Sequence, residues 1–242
     1  MNIEPYLLFG IFGIVALLYS SVGHAGASGY IAVLTLAGWS AHEIRPLALV
    51  LNLFVASMAT YKFHRAGHFR PGLFFLVGLP AVPAAAVGGY LNLSPSLLSK
   101  LIGVTLCASA VWLMLEKREP EMIVHPGRFV TIFTGASIGF LAGITGTGGG
   151  IFLSPLMLFL GWGKLRQISA IASPYILLNS VAGLIGLSFH GLSLPSGWGY
   201  YVIAVLVGGY IGSTLGSQRL SAKAIQGLLS VVLVIAGAKL LL

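Results

Sequence analysis

The chain is poor in charge, and this scarcity sets its class. Only 7% of its 242 residues are charged, whereas 57% are hydrophobic. A soluble domain usually carries roughly 25% charged residues, because its surface must face water. Most of this surface must therefore face lipid. We expect an all-α integral membrane protein that crosses the bilayer several times.

Carboxylates are also scarce, and none falls inside an apolar segment. The chain has no aspartate, and its acidic residues are Glu4, Glu43, Glu116, Glu119 and Glu121. Many cation pumps and proton-coupled carriers depend on intramembrane carboxylates. The sequence also lacks a P-loop, a His-Glu-x-x-His motif and paired carboxylates for hydrolysis. These absences disfavour an enzyme or a cation carrier, and they favour an anionic substrate with no cofactor.

Two further classes of partner are excluded by what is missing. The single cysteine, Cys107, lies in an apolar run. It forms no intrachain disulfide, and it leaves a metal site of the usual Cys/His type unsupported. The net charge of +8 comes from short loops between apolar stretches rather than from a basic stripe with aromatics, so we expect no nucleic-acid partner.

Ten apolar segments are bounded by glycine, proline and charge. They cover 5–22, 27–38, 44–62, 72–91, 95–115, 129–146, 149–161, 168–189, 198–217 and 222–242. A full span needs roughly 20 apolar residues, and most segments reach or approach that length. Segments 27–38 and 149–161 are too short, and each follows a glycine cluster. We predict that these two are short broken or re-entrant helices.

The two halves of the chain share landmarks in the same order. Gly26, Gly38, Trp39 and Ser57 align with Gly149, Gly161, Trp162 and Ser180 at a constant offset of 123. Val-Gly-Gly-Tyr at 87–90 recurs at 207–210. This pattern indicates an internal duplication, with a first transmembrane repeat at 1–121 and a second at 122–242.

The placement of basic residues predicts that the repeats are inverted. The linker 62–70 holds three Lys or Arg residues, whereas its counterpart 190–197 holds none. Conversely, 92–96 is uncharged and 218–223 holds two. Because positive loops mark the cytoplasmic side, equivalent loops lie on opposite sides of the membrane. Arg45 falls on the outer side in this arrangement. Inverted repeats with interrupted helices are typical of secondary transporters, whose site lies at the midplane.

The motif most suited to binding is a pair of glycine clusters. Gly-Ile-Thr-Gly-Thr-Gly-Gly-Gly at 143–150 has the repeat-mate Gly-His-Ala-Gly-Ala-Ser-Gly at 23–29. A short helix that begins after such a break points its free N–H groups and positive dipole end into the break. Two of these would form an anion site without a buried Arg or Lys. The alternative is that small residues only allow close helix packing.

The candidate substrate-binding residues lie in these motifs and on the segments that follow them. They are His24, Gly26, Ser28, Asn52, Thr145, Thr147, Gly148, Gly149, Gly150, Pro174, Tyr175 and Asn179. Polar side chains inside spans face a cavity or a partner helix, and Ser57 and Ser180 fit interhelical hydrogen bonds better. His24 would donate to an anion or relay a proton. Alternatively, it is a neutral imidazole that caps backbone carbonyls.

At these motifs the sequence resembles the TauE/SafE family of sulfite exporters and sulfonate permeases. That family shows Gly-x-Gly-Gly-Gly, an apolar stretch and then proline in each half. Residues 146–150 with Pro155 fit this pattern, whereas residues 23–30 have looser glycines and no following proline. The resemblance implies transport of small sulfur-containing anions, such as sulfite, thiosulfate or organosulfonates, across the inner membrane. His24 and Ser28 are then candidates for retuning the substrate.

Two other functions stay open on the sequence alone. An anion channel would share the same chemistry but would conduct without alternating access. A non-transporting membrane scaffold would dock a partner through the basic linker 62–70, although it has no need of paired helix breaks. The direction of transport, the coupling ion and homo-oligomer formation are likewise open.

Overall fold

The computed structural model describes residues 4–91 and 123–241, together with a few helical positions between 100 and 111. Its helices are α1 Pro5–Ser21, α2 Ala27–Leu36, α3 Ala41–Arg65, α4 Pro71–Tyr90, α5 Arg128–Thr145, α6 Gly150–Phe159, α7 Leu165–Ser188, α8 Trp198–Thr214 and α9 Ala222–Leu241. A π-helical turn, Leu215–Arg219, continues α8. The described part is all-helical, as predicted. Most of segment 95–115 and the repeat boundary near 122 lie outside it.

Helix length separates five described helices that can span a bilayer from two that reach only half of it. Among them, α3, α4, α5, α7 and α8 are long and apolar enough to cross a membrane. The short helices α2 and α6 have ten residues each, which is about 15 Å or half of a bilayer core. Outward apolar side chains such as Phe129 and Phe133, 81% and 65% exposed, are placed to contact lipid.

The backbone repeats the landmarks that the sequence shares between its halves. The short helices both begin directly after a left-handed glycine, at Gly26 with φ of +102° and at Gly149 with φ of +82°. Gly23 and Gly146, also at the offset of 123, have φ of +76° and +72°. Only glycine adopts this conformation without cost. Glycine is therefore required at these four positions by the backbone conformation.

The halves interlock rather than pack side by side. Helix α4 packs against α5, α1 packs against α8, and α3 and α7 pair between them. Glycines at four-residue spacing line two of these contacts. They are Gly135, Gly139 and Gly143 on α5, and Gly208 and Gly212 on α8 with Gly216 in the π-helical turn that continues it. A Cβ added to Gly139 would lie 2.6 Å from the Ala81 Cα. For these glycines close packing is the reason for their presence.

Contacts between loops define two ends of the molecule. Arg70 Nη1 donates to the Trp162 carbonyl at 2.9 Å, and Arg166 Nη2 donates to the Leu220 carbonyl at 2.7 Å. The basic loops therefore meet at the end where α4 begins. At the other end of α4, His190 Nε2 donates to the Tyr90 carbonyl at 2.8 Å. Since α4 is about 30 Å long, the linker 62–70 and residues 190–197 lie at opposite ends.

We predict that these two ends face opposite sides of the membrane. In a Cys107→Ser background, Ala66→Cys and Ser193→Cys should react with an impermeant maleimide from opposite faces, because only the first lies in a positively charged loop. Right-side-out and inverted vesicles provide the comparison. Labelling of both positions from one face would contradict the inverted arrangement.

Candidate functional site

The two glycine breaks meet in the interior of the helix bundle. Residues 22–26 separate α1 from α2, and residues 146–149 separate α5 from α6. Both breaks are closed to solvent, since His24, Thr145 and Thr147 are only 1%, 7% and 6% exposed. The buried polar groups of the two breaks therefore need hydrogen-bond partners in the protein or in a ligand.

Asn52, from the middle of α3, links the two breaks. Its Oδ1 accepts a hydrogen bond from the amide of Ala27, the first residue of α2, at 3.1 Å. Its Nδ2 donates to Ser180 Oγ on α7 at 3.3 Å. A Cβ added to Gly148 would come within 2.8 Å of the same Nδ2. One fully buried carboxamide thus contacts the first short helix, the second break and α7.

His24 makes a second link between the halves. Its Nε2 lies 2.8 Å from Ser154 Oγ on α6, and a Cβ added to Gly150 would lie 3.4 Å from its Cδ2. Its Nδ1 is buried, and no described residue bonds to it. The imidazole therefore bonds a hydroxyl rather than a backbone carbonyl, and one ring nitrogen is available to a ligand.

The N-termini of the short helices hold buried amides without acceptors. The Ala27 amide is bonded to Asn52, but in the described part of the chain the amides of Ser28, Gly29, Gly150 and Ile151 have no acceptor. A buried donor without a partner costs about 1–3 kcal/mol. These four donors, at the positive ends of two helix dipoles, favour an anion.

Two of the candidate residues, Ser28 and Tyr175, have hydroxyls that form hydrogen bonds to neighbouring helices beside the breaks. The Ser28 hydroxyl lies 2.8 Å from the Tyr19 hydroxyl on α1. Tyr175 donates its hydroxyl hydrogen to the Gly135 carbonyl at 2.9 Å, and a Cβ added to Gly149 would lie 3.0 Å from its ring. Both side chains border the breaks, but their polar atoms are already engaged with neighbouring helices.

The remaining candidates on α7 contribute unequally. Asn179 is 1% exposed and faces the Tyr175 hydroxyl one turn away, yet neither polar atom forms a hydrogen bond within usual limits of distance and angle. Pro174 is buried directly before Tyr175. Its ring has no polar group, so it can act only through the path of the helix.

Beside the second break lies a residue that the sequence analysis did not include among the candidates. Arg45, in the second turn of α3, is half-buried and donates from Nη2 to the Gly143 carbonyl at 3.1 Å. A Cβ added to Gly146 would lie 3.4 Å from its own Cβ. The sequence analysis expected an anion site without a buried Arg or Lys, and the structure places the half-buried Arg45 beside the second break. The sequence does indicate this residue, because Arg45 lies just inside apolar segment 44–62, and a charged residue within such a segment is usually functional.

Ser57 and Ser180 occupy equivalent positions but differ in environment. Ser180 is buried and bonds Asn52 between helices, as predicted. Ser57 is exposed and donates to the Leu53 carbonyl of its own helix at 2.6 Å, so its predicted interhelical hydrogen bond is wrong. Of these two serines, only Ser180 therefore contributes a polar group to the centre of the helix bundle.

The electrostatics of the breaks are positive. Glu43 is engaged by the Ser40 hydroxyl at 2.7 Å at the start of α3, and Glu4 precedes α1. Within residues 4–91 and 123–241 these are the only carboxylate side chains, and neither belongs to a break. The free amides and Arg45 thus have no opposing negative charge there.

This fold and its two half-length helices define a multi-pass membrane transporter. The chain belongs to the sulfite exporter TauE/SafE family, whose sequence pattern matches residues 7–240. It is similar, at 38% identity over the whole of both chains, to the "Probable membrane transporter protein y4hK" of Sinorhizobium fredii. It is 25% identical to the "Probable membrane transporter protein YjnA" of Bacillus subtilis, over 97% of this chain and 98% of that protein. No solved structure matches significantly.

We predict that Asn52 stabilises the centre of the fold. Asn52→Ala should lower the free energy of unfolding by about 1–3 kcal/mol, because the buried Ala27 amide loses its acceptor. Melting of the detergent-solubilised protein, followed by tryptophan fluorescence, measures the change. The control is Ser57→Ala on the same helix, which should stay within about 0.5 kcal/mol. Equal effects of the two variants would contradict the link.

Proposed function

We propose that the protein is a secondary transporter of small sulfur-containing anions, such as sulfite, thiosulfate or organosulfonates, in the inner membrane. The anion binds at the midplane between the two glycine breaks. The observation that carries this proposal is the set of four buried, unbonded amides at Ser28, Gly29, Gly150 and Ile151. Such amides at helix N-termini are a common protein site for oxyanions.

The shape of a sulfur oxyanion suits donors from two directions. Sulfite and sulfonates carry three oxygens around sulfur, so they accept several hydrogen bonds at once. The two short helices belong to different halves of the chain, and each brings a pair of amides. The His24 ring lies beside Gly150 through its Cδ2, and its buried Nδ1 offers a further polar group. This geometry supports a compact oxyanion better than a long or apolar substrate.

The burial of both breaks supports a carrier rather than an open channel. His24, Asn52 and Thr147 are 1%, 0% and 6% exposed, so an anion reaches them only after the helices rearrange. Each half supplies one short helix and one set of amides. Motion of one half against the other would expose the same site alternately to each side, as in other transporters with repeated halves.

Binding is tested by the thermal stability of the purified protein in detergent. The ligands are sulfite, sulfate, thiosulfate, taurine, sulfoacetate and lactate. We expect at least one sulfur-containing anion to raise the melting temperature with a saturable dependence on concentration, because a ligand of the folded state stabilises it. Lactate, a carboxylate, should have a smaller effect. Stabilisation by lactate alone would contradict the sulfur specificity.

The position of the site is tested with matched glycine variants. A leucine at Gly149 would press on α5 and α7, since even a Cβ would lie 3.0 Å from Ala142 and Tyr175; Gly149→Ala is therefore the better change. It should abolish both the shift and transport into proteoliposomes by displacing the neighbouring amides. The control, Gly67→Ala, has similar strain at φ of +78° but open space around it. Normal transport by Gly149→Ala would refute this position.

A further inference from the structure

We propose that Arg45 is the charged contact for the transported anion at the second glycine break. This inference rests on the proposed function and names the residue that recognises the charge of the substrate. The base of the Arg45 side chain lies beside Gly146, between Thr145 and Thr147 in sequence, with its Cβ 3.4 Å from the position of an added Gly146 Cβ. Its guanidinium reaches the Gly143 carbonyl at the end of α5. Arg45 therefore stands at the rim of the break rather than on an unrelated surface.

Among the residues that the structure describes, Arg45 has no carboxylate that neutralises it. The carboxylate nearest to it in sequence, that of Glu43, is held by the Ser40 hydroxyl at 2.7 Å and by the Ser40 amide at 3.4 Å. No ion pair to Arg45 forms within residues 4–91 and 123–241, and its one hydrogen bond goes to the neutral Gly143 carbonyl. A half-buried cation without a counter-charge destabilises the folded protein. A bound anion beside Arg45 would therefore stabilise it.

The hydrogen bonding of the guanidinium leaves donors for that anion. Nη2 is fixed by the Gly143 carbonyl at 3.1 Å, near the end of α5. Nε is buried and no described residue accepts its hydrogen. An arginine held at one corner in this way can offer Nε and a neighbouring N–H as a fork, which matches two oxygens of a sulfite, thiosulfate or sulfonate group.

A role for Arg45 only as a helix cap would leave these features unexplained. A cationic side chain near the end of a helix does stabilise the last carbonyls. That role needs the Nη2 contact alone, and it does not account for a buried Nε with no acceptor. Arg45 also has no basic counterpart in the second repeat, where Ile168 stands at the offset of 123. The charge is thus a feature of one break rather than of the duplicated fold.

The test measures anion binding by Arg45→Gln and Arg45→Lys with two probes of fixed charge, divalent thiosulfate and monovalent methanesulfonate. Glutamine can still donate to the Gly143 carbonyl, and lysine keeps the charge but loses the fork. We expect Arg45→Gln to weaken binding of thiosulfate roughly tenfold or more, and methanesulfonate by less, since the attraction scales with charge. Arg45→Lys should fall between this variant and the natural protein.

The control is Arg65→Gln, an exposed arginine at the other end of α3 that contacts the Tyr61 hydroxyl; it should bind both probes normally. Melting without ligand separates loss of binding from loss of folding, and Arg45→Lys serves if the glutamine variant does not fold. Unchanged affinities in both Arg45 variants would overturn this inference while leaving the proposed function intact.

Acetate, added as a third probe, separates the two proposals. If the natural protein binds acetate but neither sulfur-containing probe, and Arg45→Gln loses acetate binding, then the sulfur specificity is wrong and the role of Arg45 stands. If the natural protein binds none of the three anions, both proposals are overturned.

Discussion

The structure depends on one constraint. Inside a bilayer no water is available, so each backbone amide needs a hydrogen-bond acceptor in the protein or in a ligand. Two helix breaks at this depth expose amides that a continuous helix would have paired. The protein itself supplies one acceptor, because the Asn52 carboxamide oxygen accepts a hydrogen bond from the Ala27 amide. Four further amides at the starts of α2 and α6 stay without acceptors among the described residues. This arrangement is costly for a purely structural feature and useful for one that binds an anion.

The close packing of the helices brings the two breaks together. Helices α4 and α5 approach through Gly135, Gly139 and Gly143, where a side chain would meet the backbone of the facing helix. The contact of α1 with α8 is made in the same manner. Each half is therefore held by the other, so the first break lies beside the second short helix. The His24–Ser154 contact joins residues 130 positions apart in the chain and follows from this interlock.

Much of this architecture could be predicted from local sequence. The ten-residue helices α2 and α6 follow from glycines that need positive φ and from apolar runs too short to span. The partners of the buried side chains could not be predicted, because they depend on how the helices are rotated and which halves touch. Ser57 and Ser180 look equivalent in sequence, yet only Ser180 faces the centre. The contact of Arg45 could not be predicted for the same reason, since its partner is Gly143 on another helix.

The central claim is that an anion occupies the junction of the two breaks. The most direct measurement is anomalous diffraction from crystals grown with selenite, the selenium analogue of sulfite, collected at the selenium absorption edge. The account predicts a selenium peak within hydrogen-bonding distance of the amides at the start of α2 or α6. A peak confined to the basic linker 62–70, or no peak at saturating selenite, would contradict it.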